Sequence, residues 1–357
     1  MINVAIVGTQ GVPATYGGFE SLVENLLGAN CPEDVHYTVF CSGKDMPERI
    51  PEYKGASLKY VPLRANGIQS VPYDMVSMCR CLKGFDVILV LGVSGGLFLP
   101  IFNLLNSKKL IINIDGQEYK RDKWGRFAKW ILRMSEAFAV RFADVVIADN
   151  KGIQDYVTQT YGKSSVLISY GGDHAKRSLS PEFVADTLKS YGLTPGEYAI
   201  TVCRIEPENN TPMVLDAFSR TNKTLVYVGN WNFSDYGRNL KAKYSHFQNI
   251  IMLDAVYDLD VLYALRSNAG VYVHGHSAGG TNPSLVEAMF FGMPILAFDV
   301  VYNRETTENK AYYFKNMEKL LKLLESVDLD GSPMLEIANR RYLWKTISRQ
   351  YAELFRN

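Results

Sequence analysis

The chain has 357 residues, 47% apolar and 21% charged, which suits a folded globular protein with room for two cores and excludes a disordered one. Lys and Arg number 38 against 37 Asp and Glu, so no global charge argues for a nucleic-acid partner. The five cysteines (Cys31, Cys41, Cys79, Cys81 and Cys203) are odd in number and spaced unlike zinc ligands, which points to reduced thiols in a cytoplasmic protein.

Met1-Ile2-Asn3 runs into a strand pattern without a basic leader, so no signal peptide is expected. Val4 to Val7 is a continuous apolar run, the pattern of a strand buried on both faces of a parallel sheet. A glycine-rich loop follows from Gly8 and opens a helix with apolar Phe19, Leu22, Val23, Leu26 and Leu27. Its spacing is not GxGxxG, which disfavours a dehydrogenase. Gly17 and Gly18 would let backbone approach a phosphate or sugar closely. Further strand patterns are Tyr37 to Cys41, Leu58 to Pro62, Val87 to Leu91, Leu110 to Ile114 and Val145 to Ala148, with helical or mixed segments between them. That alternation predicts a parallel α/β sheet. Val87 to Leu105 is 19 residues without a charge, close to the length of a membrane span. Its glycines, Pro100 and Asn103 favour a strand, a turn and a short helix instead.

Asp115 and Glu118 follow the strand ending at Ile114. A carboxylate there could orient an acceptor hydroxyl or take its proton; the plainer alternative is a helix cap by Asp115 and an exposed Glu118. Asp149-Asn150 occupies a second strand end. Lys120 to Arg141 holds seven basic residues against two acidic ones, with Trp124, Phe127, Trp130, Ile131, Met134 and Phe138 at helical spacing. Two readings stand: a helix lying peripherally on an anionic membrane surface, or one packing its aromatics inward behind a solvated basic face.

Val166 to His174 closes a first domain, and polar residues 177–194 put the boundary near 175. Tyr198 to Cys203 opens a second sheet, followed by Arg204 to Asn210. Arg204 is the strongest single candidate, since a guanidinium can hold a phosphate in bidentate fashion; the alternative is a surface pairing with Glu206 or Glu208. Strands at Leu225 to Val228 and Ile250 to Leu253 continue the alternation, and segments 249–257 and 259–265 are expected around a nucleobase. Asp258-Leu259-Asp260 and Asp328-Leu329-Asp330 end no apolar run and read as solvated turns. His274 and His276 lie two apart on an extended segment with no third ligand evident, so no metal is expected.

The most informative stretch is Ala269 to Asp299: a strand at Val271 to Val273, a polar loop from His274 to Pro283, a helix from Pro283, and a strand at Ile295 to Phe298. Leu285, Val286, Met289 and Phe290 fall at helical spacing, and Gly292 and Pro294 stop the helix. Gly279, Gly280 and the helix amino-terminus could offer N–H groups to a diphosphate. Glu287, one turn in, suits ribose hydroxyls. Leu343 to Phe355 is a terminal amphipathic helix.

Glu287-Ala288-Met289, Gly292 and Pro294 resemble the signature of family 4 glycosyltransferases, and the resemblance runs over nearly the whole chain. Two departures stand out: Gly279 occupies the place of the signature's first glutamate, and Asn209 that of a lysine which, with the arginine matched by Arg204, holds the donor diphosphate. His276 to Pro283 and the opening glycine loop resemble the bacterial rhamnosyltransferase branch. The resemblance implies an α/β protein of the GT-B fold, with two facing Rossmann-like domains and an interdomain cleft. It divides the chain into an acceptor-binding domain (1–174), a nucleotide-sugar-binding domain (175–340) and a helix crossing back (341–357). It implies catalytic roles for Asp115, Glu118 and Arg204. It implies donor contacts from Gly17, Gly18, Asp149, Tyr170 (in place of a hinge asparagine), Asp173, Arg204, Asn209, His276, Gly279, Gly280, Thr281, Asn282 and Glu287. The implied reaction is retaining transfer of L-rhamnose from dTDP-β-L-rhamnose to a lipid-linked saccharide, for cell-surface polysaccharide, with no metal or cofactor beyond the donor. Rivals are another nucleotide-sugar donor, a non-catalytic nucleotide-sugar-binding subunit, and an epimerase or hydrolase on the same fold. The expected place is the cytoplasm or the cytoplasmic face of the membrane.

Overall fold

The computed structural model describes residues 1–14, 17–114, 116–120 and 125–356, without the side chains of Ile68 and Lys120. The chain forms two compact units, residues 1–170 with the segment from Trp344, and residues 171–343.

The strands of the first unit are β1 (Ile2–Val7), β2 (Val35–Ser42), β3 (Glu52–Tyr53), β4 (Ala56–Val61), β5 (Val87–Leu91), β6 (Lys109–Ile114), β7 (Val145–Ala148) and β8 (Val166–Leu167). Its helices are α1 (Gly18–Leu26), α2 (Ser70–Arg80), α3 (Leu99–Leu105), α4 (Arg126–Phe142) and α5 (Lys151–Tyr161). Among the described residues the sheet order is β3-β4-β2-β1-β5-β6-β7-β8, parallel except for the β3–β4 edge. The chain winds one way from β1 to β2 and the other way from β5 to β8. Right-handed crossovers therefore put α1 on one face and α3, α4 and α5 on the other. β5 is buried along its whole length, as its run of Val, Ile and Leu requires between two helical layers.

The carboxy-terminal helix, Trp344–Arg356, belongs to this unit. Trp344, Ile347, Tyr351 and Phe355 are buried in the core on the α1 side. Tyr351 accepts a hydrogen bond from Asn113 Nδ2 (2.8 Å), and Phe355 meets Tyr37 edge-on at 6.1 Å. Burying each such side chain contributes about 1.5–3 kcal/mol.

In the second unit the strands are β9 (Tyr198–Val202), β10 (Thr224–Val228), β11 (Ile250–Leu253), β12 (Val271–His274), β13 (Ile295–Phe298) and β14 (Tyr312–Phe314). The helices are α6 (Pro181–Ser190), α7 (Thr211–Phe218), α8 (Asp235–Tyr244), α9 (Leu259–Ser267), α10 (Pro283–Met289), α11 (Val301–Thr306), α12 (Met317–Leu324) and α13 (Ser332–Arg341). Among the described residues the order is β11-β10-β9-β12-β13-β14, with every neighbour pair parallel. The winding reverses between β9 and β12, so the loops after these two strands flank the switch point.

The units divide at 170/171, four residues before the 174/175 boundary read from sequence, and the last segment starts at 344 rather than 341. Hydrogen bonds explain both shifts. The Gly172 N–H donates to the Tyr342 carbonyl (2.9 Å), Tyr342 donates to the Thr306 carbonyl (2.9 Å), and Arg341 pairs with Glu305 (2.5 Å).

Val87 to Leu105 forms β5, a glycine turn and α3, and no helix among the described residues is long and apolar enough to cross a membrane. Helix α4 corrects the inward-aromatic reading for two residues. Phe127 and Trp130 are exposed, and the buried side consists of Ser135, Glu136, Ala139 and Val140. Asp258 is more than a solvated turn: it caps α9 by accepting from the Asp260 and Val261 amides (2.9 and 3.2 Å).

Candidate functional site

Two loops meet at the switch point of the second unit, Cys203–Asn210 after β9 and Gly275–Asn282 after β12. Backbone contact ties them together. The Ser277 amide donates to the Glu208 carbonyl (2.8 Å), and Asn210 Nδ2 donates to the Gly275 carbonyl (2.8 Å). Asn303 on α11 donates to the His276 carbonyl (2.8 Å) and holds the second loop from behind.

Buried Asn209 lies between the loops. Its Nδ2 donates to the Arg204 carbonyl (2.7 Å), and its Oδ1 sits 2.7 Å from His276 Nδ1. An amide oxygen only accepts, so His276 donates through Nδ1, and Nε2 is the ring's other nitrogen. That nitrogen lies on the Gly279 side, 3.8 Å from where a Cβ at 279 would stand. Asn209, named above as a donor contact, therefore stands between Arg204 and His276. Both ends of its amide are bonded within the protein, and it fixes His276 Nδ1 as a donor. Arg204 follows β9 and is half-buried.

Gly279 has φ +84°, a conformation that glycine adopts without penalty. Among the described residues only His276 Nε2 lies within 4 Å of a Cβ at 279, so it is the backbone conformation, strained for any side chain, that favours glycine. Thr281 is buried. Asn282 caps α10, its side chain accepting from Ser284 N (3.0 Å) and its carbonyl from Leu285 N and Val286 N (3.1 and 3.2 Å). These bonds correct one expectation. The amides at the helix terminus are used by Asn282, which leaves the loop before it as the place where an anion would meet backbone.

Glu287 projects from α10 into a buried ion pair. Its Oε2 is 2.7 Å from Arg266 Nη1, and its Oε1 is 3.3 Å from His174 Nε2. Arg266, on the last turn of α9, is 3% exposed. Burial pushes the Glu287 carboxyl up, but the charge of Arg266 and the His174 contact outweigh it and hold the group at about 2. His174 reaches Glu287 because Gly172 sits directly on α10, where a Cβ would be 3.0 Å from the Glu287 amide nitrogen. Sequence reasoning missed Arg266, His174 and Asn303. Of these only Arg266 left a trace, as a lone cation in the last turn of an apolar helix.

His274 is buried, its ring 6.0 Å from that of His276. Burial, and then His276, push it well below the ordinary histidine range, so it is neutral. No group of three potential His, Cys, Asp or Glu ligands occurs among the described residues.

In the first unit, Gly17 precedes α1 and Gly18 begins it. Glu20 accepts from the Gln10 amide (2.7 Å) and from Thr9 Oγ1 (2.9 Å), fixing the loop after β1 to α1. Asp115 lies outside the described residues. Glu118 is half-buried in the turn Glu118–Lys120. Asp149 is buried at the end of β7, where its carbonyl accepts from Ser169 Oγ (2.6 Å). Tyr170 is buried in the core of the first unit, so its ring packs the fold rather than lining an open site. Asp173 starts the Asp173–Ala175 turn in the second unit. The structure thus brings Arg204, Asn209, His276 and Gly279 together, with Glu287 held by His174 and Arg266 on the adjoining helix.

Residues 188–340 match a family model described as Glycosyl transferases group 1, and residues 1–173 match one described as Domain of unknown function (DUF1972). No curated protein matches the chain. Sucrose-phosphate synthase from Thermosynechococcus elongatus is similar in structure, with a TM-score of 0.83 at 17% identity, covering 100% of this chain and 98% of that one. Anabaena HepE in complex with UDP-glucose has a TM-score of 0.75 at 15% identity, covering 99% of each chain. The catalytic domain of Arabidopsis thaliana starch synthase IV, bound to ADP and acarbose, has a TM-score of 0.74 at 11% identity, covering 99% of this chain and 98% of that one. These likenesses show that the fold is GT-B.

Proposed function

We propose that this chain, a GT-B glycosyltransferase with a group 1 glycosyl transferase domain, moves L-rhamnose from dTDP-β-L-rhamnose to a hydroxyl of a lipid-linked saccharide, with retention of configuration. One observation carries the reading of the donor site: Arg204, the His276–Asn209 pair, the Gly279 turn and an ionised Glu287 cluster around the switch point of the second unit.

In this reading the donor diphosphate lies over the 279–282 loop. The guanidinium of Arg204 and the loop amides stabilise charge as the bond to the sugar breaks. Glu287, already directed by Arg266 and His174, keeps lone pairs for ribose hydroxyls. Glycine at 279 presents no carboxylate to the sugar, which suits a 6-deoxy-L-sugar whose hydroxyls are arranged unlike those of glucose. Asp115 and Glu118 orient the acceptor hydroxyl, and the leaving phosphate takes its proton as the new bond forms on the face being vacated. A covalent sugar–enzyme adduct would contradict that last step. Product for cell-surface polysaccharide would be made at the cytoplasmic side, where nucleotide sugars are available.

A second donor has an observation of its own, the fold shared with a protein solved in complex with UDP-glucose. Donor consumption by the purified chain separates the two. dTDP-rhamnose, UDP-glucose, UDP-GlcNAc and GDP-mannose are each offered with a lipid-linked GlcNAc or glucose acceptor, with and without EDTA. Acceptor-dependent, EDTA-insensitive use of dTDP-rhamnose alone is the expected result. Use of another donor would refute the reading of Gly279. Binding of dTDP-rhamnose without transfer to either acceptor would favour a non-catalytic binding subunit.

A further inference from the structure

In the first unit two tyrosines meet a buried carboxylate and a third reaches it through one of them. Glu136, on α4, is 1% exposed. Its Oε1 accepts from the hydroxyls of Tyr156 (2.6 Å) and Tyr161 (2.7 Å), both on α5. Tyr119 stands in the Glu118–Lys120 turn, and its hydroxyl lies 3.1 Å from that of Tyr156. A phenol has one proton to give, and Tyr156 gives its own to Glu136. Tyr119 is therefore the donor to Tyr156, and the bonds run in one direction, from Tyr119 to Tyr156 to Glu136. Burial first, and then the bond to Glu136, push the Tyr156 phenol far above its ordinary range, so it keeps its proton. Tyr161 has also spent its proton on Glu136, so its 3.3 Å approach to Tyr156 is a contact that adds no link to the turn.

The turn at the outer end of this chain of bonds follows β6 and packs on α4. Gly116, with φ +69°, and the bond from the Glu118 amide to the Gly116 carbonyl (2.9 Å) make it tight. Glu118, next to Tyr119 in the chain, is the half-buried carboxylate proposed to orient the acceptor hydroxyl. Helices α4 and α5 already bury Ala139, Val140, Ile153 and Val157, so apolar burial holds them without the Tyr119 hydroxyl. A satisfied polar network adds a single defined geometry rather than apolar contact. A group that orients an acceptor needs that definition, because a misplacement of about 1 Å is costly in rate.

We propose that Tyr156, anchored on Glu136, is a positioning residue for the acceptor: through Tyr119 it sets the Glu118–Lys120 turn so that the Glu118 carboxylate meets the acceptor hydroxyl. This rests on the reading of Glu118 as the group that orients the acceptor, and not on the identity of the donor sugar.

The test compares full-length Tyr156→Phe and Tyr161→Phe. Each takes one hydroxyl from Glu136, so the two should lower the unfolding midpoint similarly. Only Tyr156→Phe also takes the partner of Tyr119. It is expected to speed amide hydrogen exchange at 116–120 by about tenfold. With dTDP-rhamnose as donor it should lower kcat/KM for a lipid-linked GlcNAc acceptor by about tenfold, while the calorimetric affinity for dTDP stays that of the parent. Tyr161→Phe should match the parent in all three. Tyr119→Phe should reproduce Tyr156→Phe, and the double variant should be no worse than either, since both break one link. Parental exchange at 116–120 in Tyr156→Phe, or equal acceptor kinetics in Tyr156→Phe and Tyr161→Phe, would overturn the proposal. The exchange arm needs no substrate and decides by itself whether Tyr156 sets the turn. Glu118→Gln tells two failures apart. Lost acceptor turnover there, beside parental behaviour of Tyr156→Phe, sinks this proposal alone; parental turnover there removes Glu118 from the acceptor site and the proposal with it.

Discussion

Glu287 gains its role from two residues that are distant in sequence. A buried carboxylate alone would be driven towards its neutral form, and Arg266 with His174 reverses that. The folded state holds the group at about 2 against an ordinary 4.5, so the folded protein binds fewer protons there than the unfolded one. The pair's stabilisation, about 3 kcal/mol by linkage, is fully present above roughly pH 5 and is lost as pH falls from 4.5 towards 2. Arg266→Met should destabilise the protein by about 3–5 kcal/mol, because the carboxylate stays buried without its main partner. It should also flatten the acid limb of the stability profile. Urea midpoints measured from pH 7 to pH 3 check this. The same acid slope in parent and variant would show that Glu287 does not depend on Arg266.

At the scale of elements, the switch-point loops behave as one structure through Asn209. Asn209→Ala removes the acceptor that fixes His276 and the donor to the Arg204 carbonyl. It should weaken nucleotide binding by roughly tenfold, about one hydrogen bond's worth, with a smaller effect on overall stability. Calorimetric titration with the nucleotide checks it, and unchanged affinity would remove Asn209 from the account.

Much of this architecture was legible in the sequence because β5 is a continuous apolar run and β1, β9 and β12 each contain a shorter one. The strand, loop, helix and strand over 269–299 could be read almost residue by residue from Pro283, Gly292 and the apolar spacing. What escaped had physical reasons. Glu52–Tyr53 and Tyr312–Phe314 are too short to show a period. The amides of α10 looked available for a ligand because a cap by Asn282 is visible only in three dimensions. The partners of Asn209 and Glu287 come from other elements, so no local pattern could name them. Tyr170 matched a hinge position by alignment of motifs, yet its ring is buried in the core of the first unit.

At the scale of the molecule, the chain leaves its first compact unit at Tyr170 and returns to it at Trp344. The second unit carries the switch-point cluster: both loops, α9, α10 and the His174 turn. Nucleotide recognition is therefore expected within residues 171–343, at Arg204 above all. The most direct measurement is calorimetric titration of dTDP into the full-length parent and into Arg204→Ala. A single site is expected in the parent and a loss of at least about tenfold in the variant, as for a charged hydrogen bond to phosphate. Equal affinity in the two proteins would contradict it and move the donor site away from the switch point of the second unit.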